Sequence, residues 1–171
     1  MPRLVVVVPL RPLQTGASFA VEQWPLHITV LAPFQTDAAP AEIAGVAAAA
    51  LVGFDALTVL AGHDELFGRR HDIPVTLIDD NTELTRLHDR LVEALRPLAT
   101  DPLESAFAGS NFRAHVTVKL QGRVRVGDEL RLTQVALVDM APRAAPSGRT
   151  VLATLDLHTS RAPVGADGEQ K

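Results

Sequence analysis

Two short segments of the sequence, residues 26–30 and 114–118, share one pattern: an apolar residue, His, a β-branched residue, Thr and Val. Successive side chains of a β-strand point to opposite faces, so each histidine would share a face with the threonine two positions later. If two such strands lie side by side, four side chains meet in one cleft: His27, Thr29, His115 and Thr117. Two imidazoles and two hydroxyls can move protons on and off a phosphate ester without a metal ion.

The chemistry of the two residue types predicts their roles. Histidine titrates near neutral pH, so one ring can act as a base while the other, protonated, acts as an acid. Thr29 and Thr117 would hydrogen-bond the non-bridging phosphate oxygens and stabilise charge that develops there. The pattern leaves open which histidine is the acid. The alternative is that His27 and His115 are hydrogen-bonded core residues without chemistry.

The twin motif resembles that of the 2H phosphoesterase superfamily, which contains the 2′-5′ RNA ligases and the 2′,3′-cyclic phosphodiesterases. The resemblance covers about residues 3–158, and Ala114 departs from it because many relatives carry proline there. It implies hydrolysis, or reversible formation, of a 2′,3′-cyclic phosphate or a 2′-5′ phosphodiester. The substrate would be a nucleotide or an RNA end, and no cofactor would be needed.

The composition is that of a soluble globular domain: 171 residues, 47% of them hydrophobic and 21% charged. The sequence has no cysteine, which excludes disulfides and a cysteine nucleophile and fits a reducing, cytoplasmic environment. A net charge of −4 argues against broad binding of duplex nucleic acid but allows a small nucleotide or one RNA terminus. With no signal peptide or membrane-spanning stretch apparent, we expect a cytoplasmic monomer that does not bind membranes.

The order of elements predicts an α+β fold of two similar lobes, each an antiparallel sheet with a helix, around a central cleft. Residues 1–160 would form this single bilobal domain, and residues 161–171 a disordered tail. Hydrophobic periodicity predicts helices at 41–52 and 82–98, with Asp80 or Asn81 as the cap of the second. It predicts strands at 4–10, 26–31, 56–61, 74–78, 112–120, 129–138 and 150–157, with Pro33 ending the second of them. The segments 14–22, 62–72 and 101–111 are expected to be loops.

Residues beside the motifs could bind substrate. Period-two alternation places Arg113 and Lys119 on the face of the second histidine, so both are candidate phosphate ligands; the alternative is a solvated strand end. A nucleobase would need an aromatic platform, and Trp24 and Phe34 flank the first motif, with Phe67 further along. Core packing is the commoner role for all three of these aromatic residues.

The other histidines carry weaker signals. The segment 63–65 together with 71–72 is rich in His, Asp and Glu, but its spacing matches no closed zinc pattern, so we expect no metal site. His88 is expected on the exposed side of its helix, and His158 on the surface. Two rival functions remain. One is a non-catalytic module on the same fold that binds a nucleotide or an RNA end, and the other is a structural protein with two core histidines.

Overall fold

The computed structural model describes residues 2–103, 111–140 and 148–158, within which nine antiparallel-paired strands and two α-helices are found. The strands are β1 (Arg3–Pro9), β2 (Ser18–Phe19), β3 (His27–Gln35), β4 (Leu57–Phe67), β5 (Ile73–Ile78), β6 (His115–Thr117), β7 (Glu129–Leu132), β8 (Gln134–Asp139) and β9 (Arg149–Asp156). The helices are α1 (Pro40–Ala50) and α2 (Thr82–Leu95). The strands form one sheet in the order β2-β9-β8-β1-β3-β6-β5-β4-β7. The predicted α+β class is confirmed.

The two motif strands are neighbours at the middle of this sheet. β3 and β6 pair antiparallel, with Ile28 opposite Val116. β1, β8, β9 and β2 extend the sheet on the β3 side, and β5, β4 and β7 extend it on the β6 side. Each half of the sheet therefore contributes one motif strand to the central pair.

One face of the sheet packs against both helices and forms the main core. Ile28, Val30 and Val116 belong to this core, together with Ile43 of α1 and Leu87 of α2. The buried leucines of α2 recur every three or four positions, which turns one stripe of the helix toward the sheet. Each fully buried aliphatic side chain contributes roughly 1.5–3 kcal/mol. The histidines and threonines that flank Ile28 and Val116 in sequence are therefore held on the opposite face of the sheet.

The ends of α2 match the signals in its sequence. The Asn81 side chain accepts a hydrogen bond from the Leu84 N–H at 2.9 Å, which satisfies one of the free amides of the first turn. The helix ends at Leu95, and a 3-10 turn over Arg96–Leu98 follows because Pro97 cannot continue the α-helical hydrogen bonds. Neither helix of the described residues is long and apolar enough to cross a membrane.

Two boundary predictions are wrong in the region of the site. Pro33 does not end the motif strand, because it lies where the β1–β3 register shifts, and a proline is tolerated at such an irregularity. The predicted loop 62–72 is largely strand, since β4 continues to Phe67. Its charged residues are accommodated because Asp64 and Glu65 form ion pairs with arginines from a distant part of the chain.

Three further elements differ from the sequence prediction. The predicted strand 129–138 is two strands, β7 and β8, because β7 pairs with β4 while β8 pairs with β1 and β9 in the other half of the sheet. The predicted strand 112–120 pairs over His115–Thr117 only, and a turn from Lys119 to Gly122 follows. The predicted loop 14–22 contains β2. Residues 104–110 of the predicted loop and the predicted tail 161–171 lie outside the described residues.

Candidate active site

The pairing of β3 with β6 brings the four motif residues together. With Ile28 opposite Val116, the antiparallel register sets His27 across from Thr117 and Thr29 across from His115. All four side chains are half-buried, whereas Ile28 and Val116 between them are buried in the core. The site is therefore two histidine–threonine pairs related by an approximate twofold arrangement on one face of the sheet.

The two histidine rings are fixed in the same way. His27 Nδ1 lies 2.7 Å from the Pro25 carbonyl oxygen, and His115 Nδ1 lies 2.8 Å from that of Arg113. A carbonyl oxygen can only accept, so Nδ1 carries the hydrogen in both rings. In the neutral state each Nε2 therefore holds a lone pair that can take a proton.

The surroundings of His27 are apolar and positively charged. Its ring stacks on Trp24, with centroids 3.9 Å apart and planes inclined by 26°. Lys119 Nζ and Arg149 Cζ each lie 5.4 Å from the centre of the indole ring, and Lys119 also donates to the Trp24 carbonyl at 2.7 Å. Trp24 thus contacts His27 and both cations, and the charges of Lys119 and Arg149 act on the His27 ring.

These surroundings lower the pKa of His27 to about 4. Burial of the ring is the largest cause, the hydrogen bond to Pro25 opposes it, and the charges of Lys119 and Arg149 add to the lowering. Burial and the nearby Arg149 also lower the pKa of Lys119. His27 is therefore neutral at pH 7, and its Nε2 is able to act as a base.

His115 lies in a more open part of the site. Burial also lowers its pKa, the hydrogen bond to the Arg113 carbonyl opposes this, and the Arg113 charge adds to the lowering. Phe67 contacts the ring edge-on, with centroids 4.7 Å apart. His115 borders a cavity of about 190 Å³ that Thr29 and Phe112 also line. It borders a second cavity of about 320 Å³ as well, so ligand-sized space is present on its side of the site.

The four predicted substrate-binding residues have different positions. Arg113 forms an ion pair with Glu65 at 2.5 Å, and Lys119 contacts Trp24. Trp24 is only 8% exposed and covers His27. The prediction that Phe34 offers a stacking surface is wrong, because Phe34 is 3% exposed and lies in the core on the helix side of the sheet.

Sequence reasoning missed Arg149 and Glu65, and it named Phe67 without placing it beside His115. Arg149 comes from β9, and no feature of its sequence surroundings indicates that it lies beside Trp24. Glu65 and Phe67 share a face because β4 is a strand, so alternation would have paired them if the segment had been read as one. Within the described residues, no group of three or more His, Cys, Asp or Glu is placed to hold a metal ion.

One prediction about the other histidines is wrong. His88 is 1% exposed rather than on the surface. Its Nδ1–H donates to the Val30 carbonyl at 2.6 Å, and its ring stacks on Phe112 with centroids 3.9 Å apart. The ring thus joins α2 to the first motif strand and to the residues just before the second motif. His158 is exposed, as predicted.

Comparisons with known proteins place the fold. Among solved structures, the chain is similar to E. coli LigT complexed with 3′-AMP, with 15% identity, a TM-score of 0.59, and 93% of this chain and 100% of that chain covered. LigT complexed with NADP+ gives 16% identity, a TM-score of 0.59, and coverage of 92% and 98%. A Thermus thermophilus protein gives 16% identity, a TM-score of 0.58, and coverage of 93% and 100%. A comparison with curated proteins finds no match.

A family model described as the 2′-5′ RNA ligase superfamily matches residues 6–142, which include both motif strands. The antiparallel sheet with two helices agrees with the fold of the LigT structures. The chain belongs to the 2′-5′ RNA ligase superfamily.

Proposed function

We propose that this protein is a metal-independent phosphodiesterase that opens a 2′,3′-cyclic phosphate or cleaves a 2′-5′ phosphodiester of a nucleotide or RNA end. The proposal rests on one observation: two histidines on adjacent strands, each with Nδ1 bound to a carbonyl and Nε2 left for a proton, beside two threonines. Relatives of the same fold support the substrate class, since LigT has been solved with 3′-AMP and with ATP.

The two histidines differ in ways that assign their roles. His27 is neutral at pH 7, so its Nε2 can take a proton from the attacking water. The open cavities border His115, so the nucleoside would sit on that side of the phosphorus. The ribose oxygen that leaves would then be next to His115. We therefore assign His27 as the general base and His115 as the general acid.

The hydrolytic step follows from these roles. Water attacks phosphorus as His27 Nε2 accepts its proton, and a new P–O bond forms. The bond from phosphorus to one ribose oxygen breaks, and the His115 imidazolium gives that oxygen its Nε2 proton. The product is a phosphomonoester with a free ribose hydroxyl. In the reverse direction the two rings exchange roles and the ester is formed.

Substrate binding would favour the protonated form of His115 that the acid step needs, with the proton coming from solvent. Burial and the Arg113 charge lower the pKa of His115 in the protein alone. A bound phosphate anion favours the charged imidazolium, and therefore raises the pKa of that ring. Thr29 and Thr117 would donate their hydroxyl hydrogens to the non-bridging oxygens, so the charge that builds on phosphorus is held between the two strands.

The test is turnover of 2′,3′-cyclic nucleotides and a 2′-5′-linked dinucleotide in the presence of EDTA, followed by chromatography. His27→Ala and His115→Ala should each lower kcat by about 10²–10⁴-fold. His158→Ala, which removes an exposed histidine, is the matched control and should retain the wild-type rate. Nucleotide binding without turnover in the wild-type protein would instead favour a binding module.

A further inference from the structure

Apart from His115 itself, the larger of the two cavities beside this ring is lined by residues other than the two histidine–threonine pairs that would hold the phosphate. It measures about 320 Å³ and is lined by Glu65 and Phe67 of β4, His71 of the following turn, and Asn111, Arg113 and His115. One wall is therefore aromatic, and one is the Arg113–Glu65 ion pair. A cavity with a flat apolar surface and a few directed polar groups is typical of a small planar ligand.

Glu65 contributes a carboxylate to this cavity, and Arg113 pairs with that carboxylate. Arg113 Nη2 donates to its Oε2 at 2.5 Å, while Nη1 lies 3.4 Å from Oε1, so the second contact is weak. The hydrogen bond from Arg113 holds the pKa of this carboxyl below its usual value. An ionised carboxylate only accepts hydrogen bonds, so its ligand must present donors.

Phe67 provides the flat surface. Because β4 is a strand, Phe67 lies two residues beyond Glu65 on the same face. Its ring contacts His115, and the Arg113 guanidinium lies 5.1 Å from its centroid. Aromatic and guanidinium planes both support a stacked base. The Phe67 ring therefore lies directly beside His115, the proposed general acid that protonates the leaving ribose oxygen.

We propose that this cavity binds the nucleobase of the substrate and that Glu65 selects guanine; this inference rests on the proposed function. Guanine presents two adjacent donors, N1–H and the N2 amino group, and a carboxylate can accept from both. Adenine and cytosine place a ring acceptor beside their single amino group, and uracil has one N–H between two carbonyls. Each of these three bases would bring an acceptor against the Glu65 carboxylate, which is unfavourable.

The test compares kcat/KM for the 2′,3′-cyclic phosphates of guanosine, adenosine, cytidine and uridine, together with base-free ribose 2′,3′-cyclic phosphate. We expect the wild-type protein to prefer the guanosine substrate by about tenfold, the effect of one well-placed interaction at a partly exposed site. Glu65→Gln should reduce the guanosine-to-adenosine ratio to near one. The ratio is decisive because any disturbance of Arg113 or His115 would lower both rates together.

Two variants complete the design. Glu83→Gln removes another exposed carboxylate paired with an arginine, in this case Arg86 of α2 at 3.0 Å, and should keep the wild-type preference. Phe67→Leu should raise KM for all four nucleotides several-fold more than for the base-free substrate.

The inference is overturned if the wild-type protein hydrolyses the guanosine and adenosine substrates equally, or if Glu65→Gln keeps the preference. Turnover of the base-free substrate would then leave the proposed function standing. If neither these five substrates nor the 2′-5′-linked dinucleotide is hydrolysed, the proposed function fails by itself. In that case calorimetric titration with 2′-GMP and 2′-AMP decides the selectivity, and equal Kd values would refute it.

Discussion

The neutral state of His27 has a consequence for stability that can be measured without any substrate. The pKa of this ring is 6.5 in the unfolded reference and about 4 in the folded protein. As the pH falls below 6.5, the His27 ring binds a proton in the unfolded chain but stays neutral in the folded chain until the pH approaches 4. The contribution of His27 to folding stability is therefore complete above pH 6.5, is lost as the pH falls toward 4, and changes no further below that.

The magnitude follows from the two pKa values. Between about pH 7.5 and about pH 4.5, linkage at this one site costs about 2.5 kcal/mol of the free energy of unfolding. Other groups also titrate in this range, so the quantity to measure is a difference between two proteins. His27→Gln removes the titrating ring and leaves those other groups in place.

The assay is urea unfolding of wild type and His27→Gln at both pH values. We expect the wild-type protein to lose about 2.5 kcal/mol more than the variant between them. His158→Gln, which removes an exposed histidine and retains His27, is the matched control and should behave as the wild type does. Equal losses for wild type and His27→Gln would mean that His27 is not held neutral, and the reasoning for His27 as the base would be refuted.

Three further predictions concern the site and its support. Lys119→Met removes a charge that lowers the pKa of His27, so the acidic limb of the kcat/KM profile should move to higher pH; an unmoved limb would contradict this. Thr29→Val keeps the shape but removes a hydroxyl, and should lower kcat by about tenfold or more with little change in melting temperature. Ile28→Ala empties a fully buried core position beneath the site and should cost about 2–5 kcal/mol of stability in urea unfolding.

The sequence was sufficient to predict the α+β class and to predict which residues of each motif strand lie on the same face. Alternation places His27 with Thr29, and His115 with Thr117, because the side-chain period of a strand is two. It could not supply the register between the strands. The pairing of Ile28 with Val116 joins segments nearly ninety residues apart and depends on the packing of the whole sheet.

Misreadings came from polar residues whose partners are distant in sequence. The second half of β4, residues 62–67, looked like a loop because Asp64 and Glu65 are charged, and their arginine partners lie 59 and 48 positions away. His88 looked exposed although it lies between Leu84 and Leu91 on the helix stripe that faces the core. The alternation along β4 and the helical spacing of His88 both agreed with the observed structure. The polar character of the residues was the misleading signal.

The most direct test of a two-histidine hydrolase is the fate of the attacking oxygen. The purified protein would be incubated with EDTA and a 2′,3′-cyclic nucleotide in ¹⁸O-labelled water, and the product mass measured for wild type and for the double variant His27→Ala/His115→Ala. We expect one ¹⁸O atom in the product phosphate of the wild type and no product from the variant. Equal product from both proteins, or label absent from the phosphate, would contradict attack of water on phosphorus by this pair.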